Sequence, residues 1–147
     1  MKTVWDAETR AEMFTRLDKL RPNQPKLWGQ MSVCQMLSHL ADPIRAAMGE
    51  LEVKEKKTPF RFPPLRFLII YVFPFPKNVP TAPEFLARTA PSVAEGVAEL
   101  KSTVTRFASR PAHAPFVRHA AFGRMGRKDW GCVMYKHIDH HLRQFGV

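Results

Sequence analysis

One amphipathic stretch near the carboxyl terminus, residues 130–145, has the sequence WGCVMYKHIDHHLRQF. At about 100° per residue in a helix, Trp130, Met134 and Phe145 share one stripe with the histidines His137 and His141. Side chains at positions i and i+4 project toward the same place. Two imidazoles buried side by side are unfavourable unless something binds them. A metal ion is the simplest occupant, because neutral imidazole is the commonest protein ligand of metals; a purely structural pair is the alternative.

Three other segments have the apolar spacing of amphipathic helices. The first follows a candidate N-cap at Asp6 and is closed by Pro22. The second and the third begin with capping boxes, at Ser32 and at Ser92. Since no useful length of sequence alternates with period two, we predict one all-α domain over residues 1–147, built as a four-helix bundle.

The second helical segment contains the dipeptide Asp42-Pro43. Proline removes one backbone hydrogen bond and can kink a helix. The pattern therefore leaves two structures open. The helix either continues through Pro43 with a kink, or it breaks there and Asp42 caps a new helix.

Residues 51–91, which we call the crossover, connect the second and third helices and hold eight of the thirteen prolines. We expect one short helix within it, and a loop of this length often forms a lid or a binding element. Its apolar run is too short to cross a bilayer, which takes about 20 residues, so a buried or covering segment is favoured over a membrane-surface role. Its aromatic side chains either wall a pocket, with Arg61, Arg66 or Lys77 selecting an anionic group, or cap the core of the bundle.

The formal net charge of +10 fits three kinds of anionic partner: nucleic acid, a membrane surface or a small anionic substrate. Its basic residues are spread along the chain, and no helix-turn-helix, zinc-finger or RNA-binding pattern accompanies them. We interpret most of this charge as a solvated face and disfavour nucleic acid as the partner. Cys34 and Cys132 form neither a disulfide framework nor a thiolate zinc site, and no signal peptide is recognisable. We therefore expect a cytoplasmic protein with no membrane partner.

The second helix supplies one further candidate ligand, His39. Metal sites in helical bundles are built from inward side chains on facing helices. His39 lies roughly 120° from the centre of the apolar face of its helix, so a boundary position stays open beside the ligand role. Three neutral histidines would leave a coordination position for water or substrate, as in catalytic zinc sites, and a bound water would become acidic enough to act as hydroxide.

The residues around these histidines also carry a resemblance to a known family. The motifs are Ser38-His39-Leu40, Trp28-Gly29-Gln30-Met31 and the ending HHLRQFG at residues 140–146. Together they resemble the DinB/YfiT-like superfamily, in particular an uncharacterised bacterial branch with the same ending, over about residues 26–147. The resemblance implies an up-down-down-up four-helix bundle that holds a divalent metal, zinc or nickel, through His39, His137 and His141. Characterised members of the superfamily are thiol-dependent transferases, isomerases or metal-dependent hydrolases.

We therefore expect a metal-dependent enzyme of hydrolase or thiol-transferase type, acting on a small molecule that is anionic or contains a thiol. His140, Asp42 and Gln144 are candidate residues of the pocket or supports of the ligands, and the catalytic residues stay unassigned. One alternative is a bundle that binds a metal or a small ligand without turnover, because no glutamate stands beside the ligands as in His-Glu-x-x-His proteases. A second alternative, less favoured, is binding of an anionic polymer such as nucleic acid. A homodimer is left open.

Overall fold

The computed structural model describes residues 1–78, 81 and 83–147, and these residues contain no β-strand. They form five α-helices: α1 (Ala7–Leu17), α2 (Val33–Ala47), α3 (Pro63–Phe67), α4 (Val93–Ala108) and α5 (Arg127–Gln144). The predicted all-α class is confirmed for this part of the chain. None of its helices is both long enough and apolar enough to cross a membrane.

The predicted helix starts on α2 and α4 are confirmed. The hydroxyl of Ser32 accepts a hydrogen bond from the Gln35 N–H at 3.2 Å, and the Gln35 side chain accepts one from the Ser32 N–H at 2.8 Å. In the same way the hydroxyl of Ser92 accepts from the Glu95 N–H at 3.2 Å. These contacts satisfy backbone donors that a helix start leaves without partners, and they fix where each long helix begins.

Helix α2 continues through Asp42 and Pro43, so the break left open above does not occur. Proline has no N–H to donate to the carbonyl four residues earlier, which here belongs to His39. The helix tolerates this loss because it is buried on all sides between Ser38 and Ile44. Burial of apolar surface outweighs the one missing hydrogen bond.

Helix α2 lies at the centre of the packing, in contact with α4 and α5, while α1 packs against α5. The contact with α4 is close because α4 carries Gly96, where a Cβ atom would lie 2.9 Å from Cδ1 of Leu37. The fully buried core residues of the three long helices are Met36, Leu37, Leu40, Ile44, Leu100, Phe107, Met134, Ile138 and Leu142. This packing holds α2 and α5 side by side, and those two helices carry the three candidate histidine ligands.

The crossover contains more helix than predicted. Helix α3 continues into a π-helical turn, Leu68–Val72, and two short 3-10 turns lie at Pro59–Arg61 and Pro83–Leu86. The turn Pro83–Leu86 packs against α2. Pro80, one of the eight prolines of the crossover, lies outside the described residues. The crossover therefore reaches both the surface around α3 and the face of α2 that carries His39.

Candidate metal centre

Three histidine side chains converge between α2 and α5. One ring nitrogen of each of His39, His137 and His141 lies within 4.8 Å of the other two. The Nε2 atoms of His39 and His137 are 2.9 Å apart, and the three ring centroids are 4.8–5.0 Å from one another. Within the described residues this histidine cluster contains no carboxylate and no thiol. It is a group of three imidazoles of the kind that binds a transition metal ion.

Each histidine reaches the cluster for a local reason. His137 and His141 are one turn apart on α5, so their side chains lie on the same face of that helix. His39 comes from the facing side of α2 and is only 4% exposed. The apolar pattern placed His39 at the border of the buried face, but the turn Pro83–Leu86 covers that border, so the residue is fully enclosed.

The side chain of Gln144 orients the ring of His141. The Gln144 amide donates to the carbonyl oxygen of Trp28 at 2.6 Å, and its Oε1 lies 2.7 Å from Nδ1 of His141. Because an amide oxygen can only accept, Nδ1 of His141 carries the proton. Its Nε2 is then unprotonated and free to bind a metal.

A backbone carbonyl orients His39 in a similar way. The Nδ1 atom of His39 lies 3.4 Å from the carbonyl oxygen of Phe85, in the turn that covers α2. A carbonyl oxygen only accepts, so the proton of His39 is on Nδ1 and its Nε2 faces His137 with a lone pair. Histidine ligands of metals usually donate their second ring N–H to a carbonyl or to a polar side chain. The arrangement of His39 and His141 therefore fits metal ligation.

Burial keeps the three imidazoles neutral. Desolvation lowers the pKa of His39 and holds the pKa of His137 well below its usual range; for His137 the neighbouring histidines lower it further. Desolvation, with a smaller contribution from His39, lowers the pKa of His141 to about 3. A metal binds only unprotonated imidazole, so at neutral pH these ligands need not lose a proton first.

One side of the histidine cluster is more open than the rest. His137 is half-buried, whereas His39 and His141 are buried. The ring of Phe75, from the crossover, lies 6.3 Å from the ring of His137. His140 is next to this side, with its ring 5.1 Å from that of His141. On this side, beside Phe75 and His140, the cluster is nearest to solvent.

The open side also carries a positive charge. The indole of Trp28 lies 5.6 Å from the ring of His140, and the ammonium group of Lys77 lies 4.3 Å from the centre of that indole. Lys77 is one of three basic residues considered above for selecting an anionic group. The other two, Arg61 and Arg66, donate to backbone carbonyls of residues 120 and 124. Of the three, Lys77 is the one whose contacts lie next to the cluster.

The remaining predicted site residues have different surroundings. Gln144 contacts His141 directly, and His140 borders the cluster. Asp42 makes no hydrogen bond to His39: its buried carboxylate accepts from Arg88 at 2.7 Å and from Arg45 at 3.2 Å. Asp42 is therefore neither a helix cap nor a direct support of a histidine ring. It fixes Arg88, three residues after Phe85, to helix α2.

The crossover residues that lie beside the histidines are not the ones that the sequence predicted as the wall of a pocket. The crossover residues next to the histidines are Phe75 and Phe85. The two best-defined cavities, of about 190 and 40 Å³, have none of the three histidines in their walls. The larger one lies beside α3 and the start of α5. Phe67 and Tyr71 line that cavity, and Phe62 and Phe73 are exposed.

Sequence reasoning missed three supports of the cluster: the carbonyls of Phe85 and Trp28 and the side chain of Arg88. A backbone carbonyl leaves no signal of its own in a sequence. The glycine after Trp28 was an indirect signal: Gly29 has a φ of 78°, and a Cβ atom there would lie 2.2 Å from Nε2 of Gln144. Gly29 is thus required by close contact with the residue that orients His141.

The chain belongs to a family described as protein of unknown function (DUF1569), whose profile matches residues 5–146. Comparisons with curated proteins and with solved structures found no significant match. The family description names no activity. The histidine cluster and the groups around it are therefore the features of this chain that indicate a function.

Proposed function

We propose that this DUF1569 protein binds one divalent metal ion, zinc or nickel, through the Nε2 atoms of His39, His137 and His141. The observation that carries the proposal is the convergence of three neutral imidazoles, two of which have Nδ1 held by an oxygen acceptor. His39 and His141 thus offer Nε2 lone pairs, and His137, whose Nε2 donates to His39 at 2.9 Å without a metal, would offer its own once its ring proton is on Nδ1. Nickel and zinc both accept imidazole ligands.

The proposed activity is that of a metal-dependent enzyme, a hydrolase or a thiol transferase. Three protein ligands leave coordination positions open, and a bound metal would supply Lewis acidity and activate water or a thiol there. The ammonium group of Lys77 and the ring of His140 favour a small substrate with an anionic group. A thiol-containing substrate that also carries an anionic group fits equally well. We assign no general base, because the cluster has no carboxylate within the described residues.

That same lack of a carboxylate supports a second candidate, a protein that binds a metal or small ligand without turnover. The two candidates share the metal site and differ in whether a substrate reacts there. Under both, we propose an up-down-down-up four-helix bundle related to the DinB/YfiT-like superfamily. The contacts of α2 with α4 and α5, and of α1 with α5, support this arrangement. A cytoplasmic location is part of the proposal and is supported by unpaired Cys34 and Cys132.

Metal content and affinity test the site. We expect the purified protein to carry about one divalent ion per chain by elemental analysis, and the stripped protein to bind zinc or nickel in a calorimetric titration. His137→Ala and His141→Ala should abolish this binding, and His39→Ala should weaken it by at least a hundredfold. His113→Ala is the matched control, because His113 is an exposed histidine of a loop and its loss should change nothing.

Circular dichroism of each variant separates loss of a ligand from loss of the fold. Helical, metal-free variants beside a metal-loaded control would support the site. If the wild-type protein binds no metal, or if it binds equally well without His137 and His141, the proposal is wrong. The three histidines would then form a hydrogen-bonded structural group.

Turnover is tested separately on the metal-loaded protein. We expect hydrolysis of small anionic esters, or transfer of a thiol to an electrophile, to require the metal. Lys77→Ala should raise the KM for an anionic substrate while the metal content stays at one ion per chain. A loaded protein that turns over neither substrate class would favour the binding protein without turnover.

A further inference from the structure

The crossover exposes a concentrated group of large apolar side chains. Among the residues described, ten large hydrophobic side chains are exposed, and six of them fall within residues 60–73. We call these six the aromatic patch: Phe60, Phe62, Leu65, Phe67, Val72 and Phe73. Single exposed apolar residues are ordinary on a protein surface, but six within fourteen residues of chain are a concentration that indicates a site of interaction.

The backbone that carries the aromatic patch is firmly attached to the protein. The side chain of Ile70 is fully buried, and the hydroxyl of Tyr71 donates to Asp129 on α5. The ammonium group of Lys136 donates to the carbonyls of Ile69 and Ile70 and also to that of Phe73. A helix that is apolar on every side is normally buried on every side. Here α3 has no buried residue, and Ile70 in the π-helical turn that follows is the buried anchor, so the patch residues around it stay exposed to solvent.

Positive charge surrounds the aromatic patch. Lys54, Lys56 and Lys57 are exposed just before it, and Lys128 of α5 lies over the ring of Tyr71 at 5.5 Å. The carboxylates near the patch are Glu52, Glu55 and Asp129; Glu55 is paired with both Arg61 and Arg118 at 3.1 Å, and Asp129 accepts from Tyr71. The surface around the patch is therefore positive on balance, so a partner with negative charge complements it. A second copy of this chain would bring the same positive charge and be repelled.

We propose that the aromatic patch docks on an anionic phospholipid surface. Phenylalanine side chains would enter the boundary between headgroups and acyl chains, and the surrounding lysines would contact the headgroups. A bilayer accepts protruding side chains without a complementary pocket, whereas a protein partner must supply one. The short apolar run excludes crossing of the membrane but not binding to its surface. The proposal replaces the expectation of no membrane partner, and it does not rest on the proposed metal chemistry.

Co-sedimentation with vesicles tests the proposal on the full chain. We expect binding to vesicles of phosphatidylcholine with about one third phosphatidylserine, and weak binding to phosphatidylcholine alone. Phe62→Ser with Phe67→Ser should lower the partition coefficient about tenfold or more, because two large apolar side chains no longer insert. Lys56→Ala with Lys57→Ala should lower it about fivefold for each lysine.

Matched controls identify the patch as the cause. Leu27 is 69% exposed but lies outside the patch, so Leu27→Ser should sediment like the wild type. Absence of binding to anionic vesicles would overturn the proposal, and so would an equal loss in Leu27→Ser. If Phe62→Ser with Phe67→Ser instead abolishes a dimer seen by light scattering without lipid, the patch is an interface between two copies. Tight binding to DNA with no binding to vesicles would overturn it in favour of an anionic polymer.

Discussion

The histidine cluster and the aromatic patch depart from the usual distribution of side chains in opposite ways. At the cluster, polar rings are buried, and two of them have a fixed acceptor in Gln144 or Phe85. At the patch, apolar side chains are exposed on α3 and on the turns beside it, around the buried anchor Ile70. Buried polar groups and exposed apolar groups are the informative exceptions to the rule that apolar residues lie inside. Under the two proposals made above, these exceptions correspond to different kinds of binding, of a metal or small ligand at the buried cluster and of a lipid surface at the exposed patch.

The largest expected difference between the two regions is in stability. Leu40→Ala should lower the free energy of unfolding by about 2–5 kcal/mol, because Leu40 is fully buried beside His39 and the substitution leaves a cavity. Phe67→Ala should change it by less than about 0.5 kcal/mol, since the side chain is 57% exposed. Urea denaturation measures both. A loss above about 1 kcal/mol in Phe67→Ala would mean that the patch is part of the core.

Acid should destabilise the metal-free protein through its buried histidines. The pKa is lowered to about 3 in His141 and to about 4 in His119, in both mainly by desolvation. These rings stay neutral when folded and take up protons near pH 6.5 when unfolded, so stability is complete above that pH. It falls as the pH drops below about 6.5, by about 1 kcal/mol per pH unit for each such histidine.

The pH effect is measured by urea denaturation at pH 7.5, 6.5 and 5.5. His113→Ala should keep the full pH dependence, whereas His119→Gln should have a smaller one. Equal stability at all three pH values would show that these histidines are not enclosed. The description of the histidine region as buried and polar, in contrast to the exposed apolar patch, would then be wrong.

Support of the ligands by Gln144 should be visible as a change in metal affinity. Gln144→Ala removes the acceptor of the His141 N–H, and we expect zinc affinity to fall about 10–100-fold. Gly29→Ala should have a similar effect, because the added Cβ collides with the Gln144 amide and the residue has a positive φ. Calorimetric titration measures both. Gly146→Ala is the control, since its φ is also positive but a Cβ there meets nothing within 4 Å; unchanged affinity in Gln144→Ala would contradict the support role.

The smallest effect concerns the ion pair that ties the crossover to α2. Arg88→Ala should lower the free energy of unfolding by about 1–2 kcal/mol, because Asp42 is buried and keeps only Arg45 as its partner. This expected loss is smaller than for a fully buried ion pair because the Arg88 side chain is 39% exposed. Arg106→Ala, which breaks an exposed pair with Glu50, should cost less than about 0.5 kcal/mol.

Thermal denaturation compares the two arginine variants, and metal titration adds a second measurement. Arg88→Ala should weaken zinc binding by less than Gln144→Ala does, because it acts on His39 only through the position of Phe85. If Arg88→Ala and Arg106→Ala have equal effects on stability and none on metal affinity, the ion pair does not position the crossover over the histidines.

Local patterns predicted the long helices well. The capping boxes at Ser32 and Ser92 and the apolar periods that follow them placed α2 and α4 within a residue or two. These signals depend on groups at most four residues apart, so the sequence alone carries them. The same is true of His137 and His141, whose spacing puts them on one face of α5. The pairing of two histidines was therefore predictable before any tertiary contact was known.

The surroundings of His39 were not predictable in that way. Its angle on α2 placed it at the border of the apolar face, and its burial comes from a turn more than forty residues later in the chain. Asp42 is a similar case: both a cap and a support of a ligand were reasonable from its position, but Arg88 takes its carboxylate. Contacts with the crossover determine the surroundings of both residues. The backbone of the crossover is irregular, so it has no periodic sequence pattern from which these contacts could be predicted.

The sequence by itself determined the all-α class, the start of the long helices and the pair of histidines on α5, because these follow from neighbours within one or two turns. Only the tertiary structure decided that His39 completes the cluster, that Gln144 and Phe85 set its tautomers, and that the apolar side chains on and around α3 stay uncovered. The physical reason is that these features depend on which segments pack together. Such packing is a sum of many small apolar contacts between distant parts of the chain, and no single residue pattern records it.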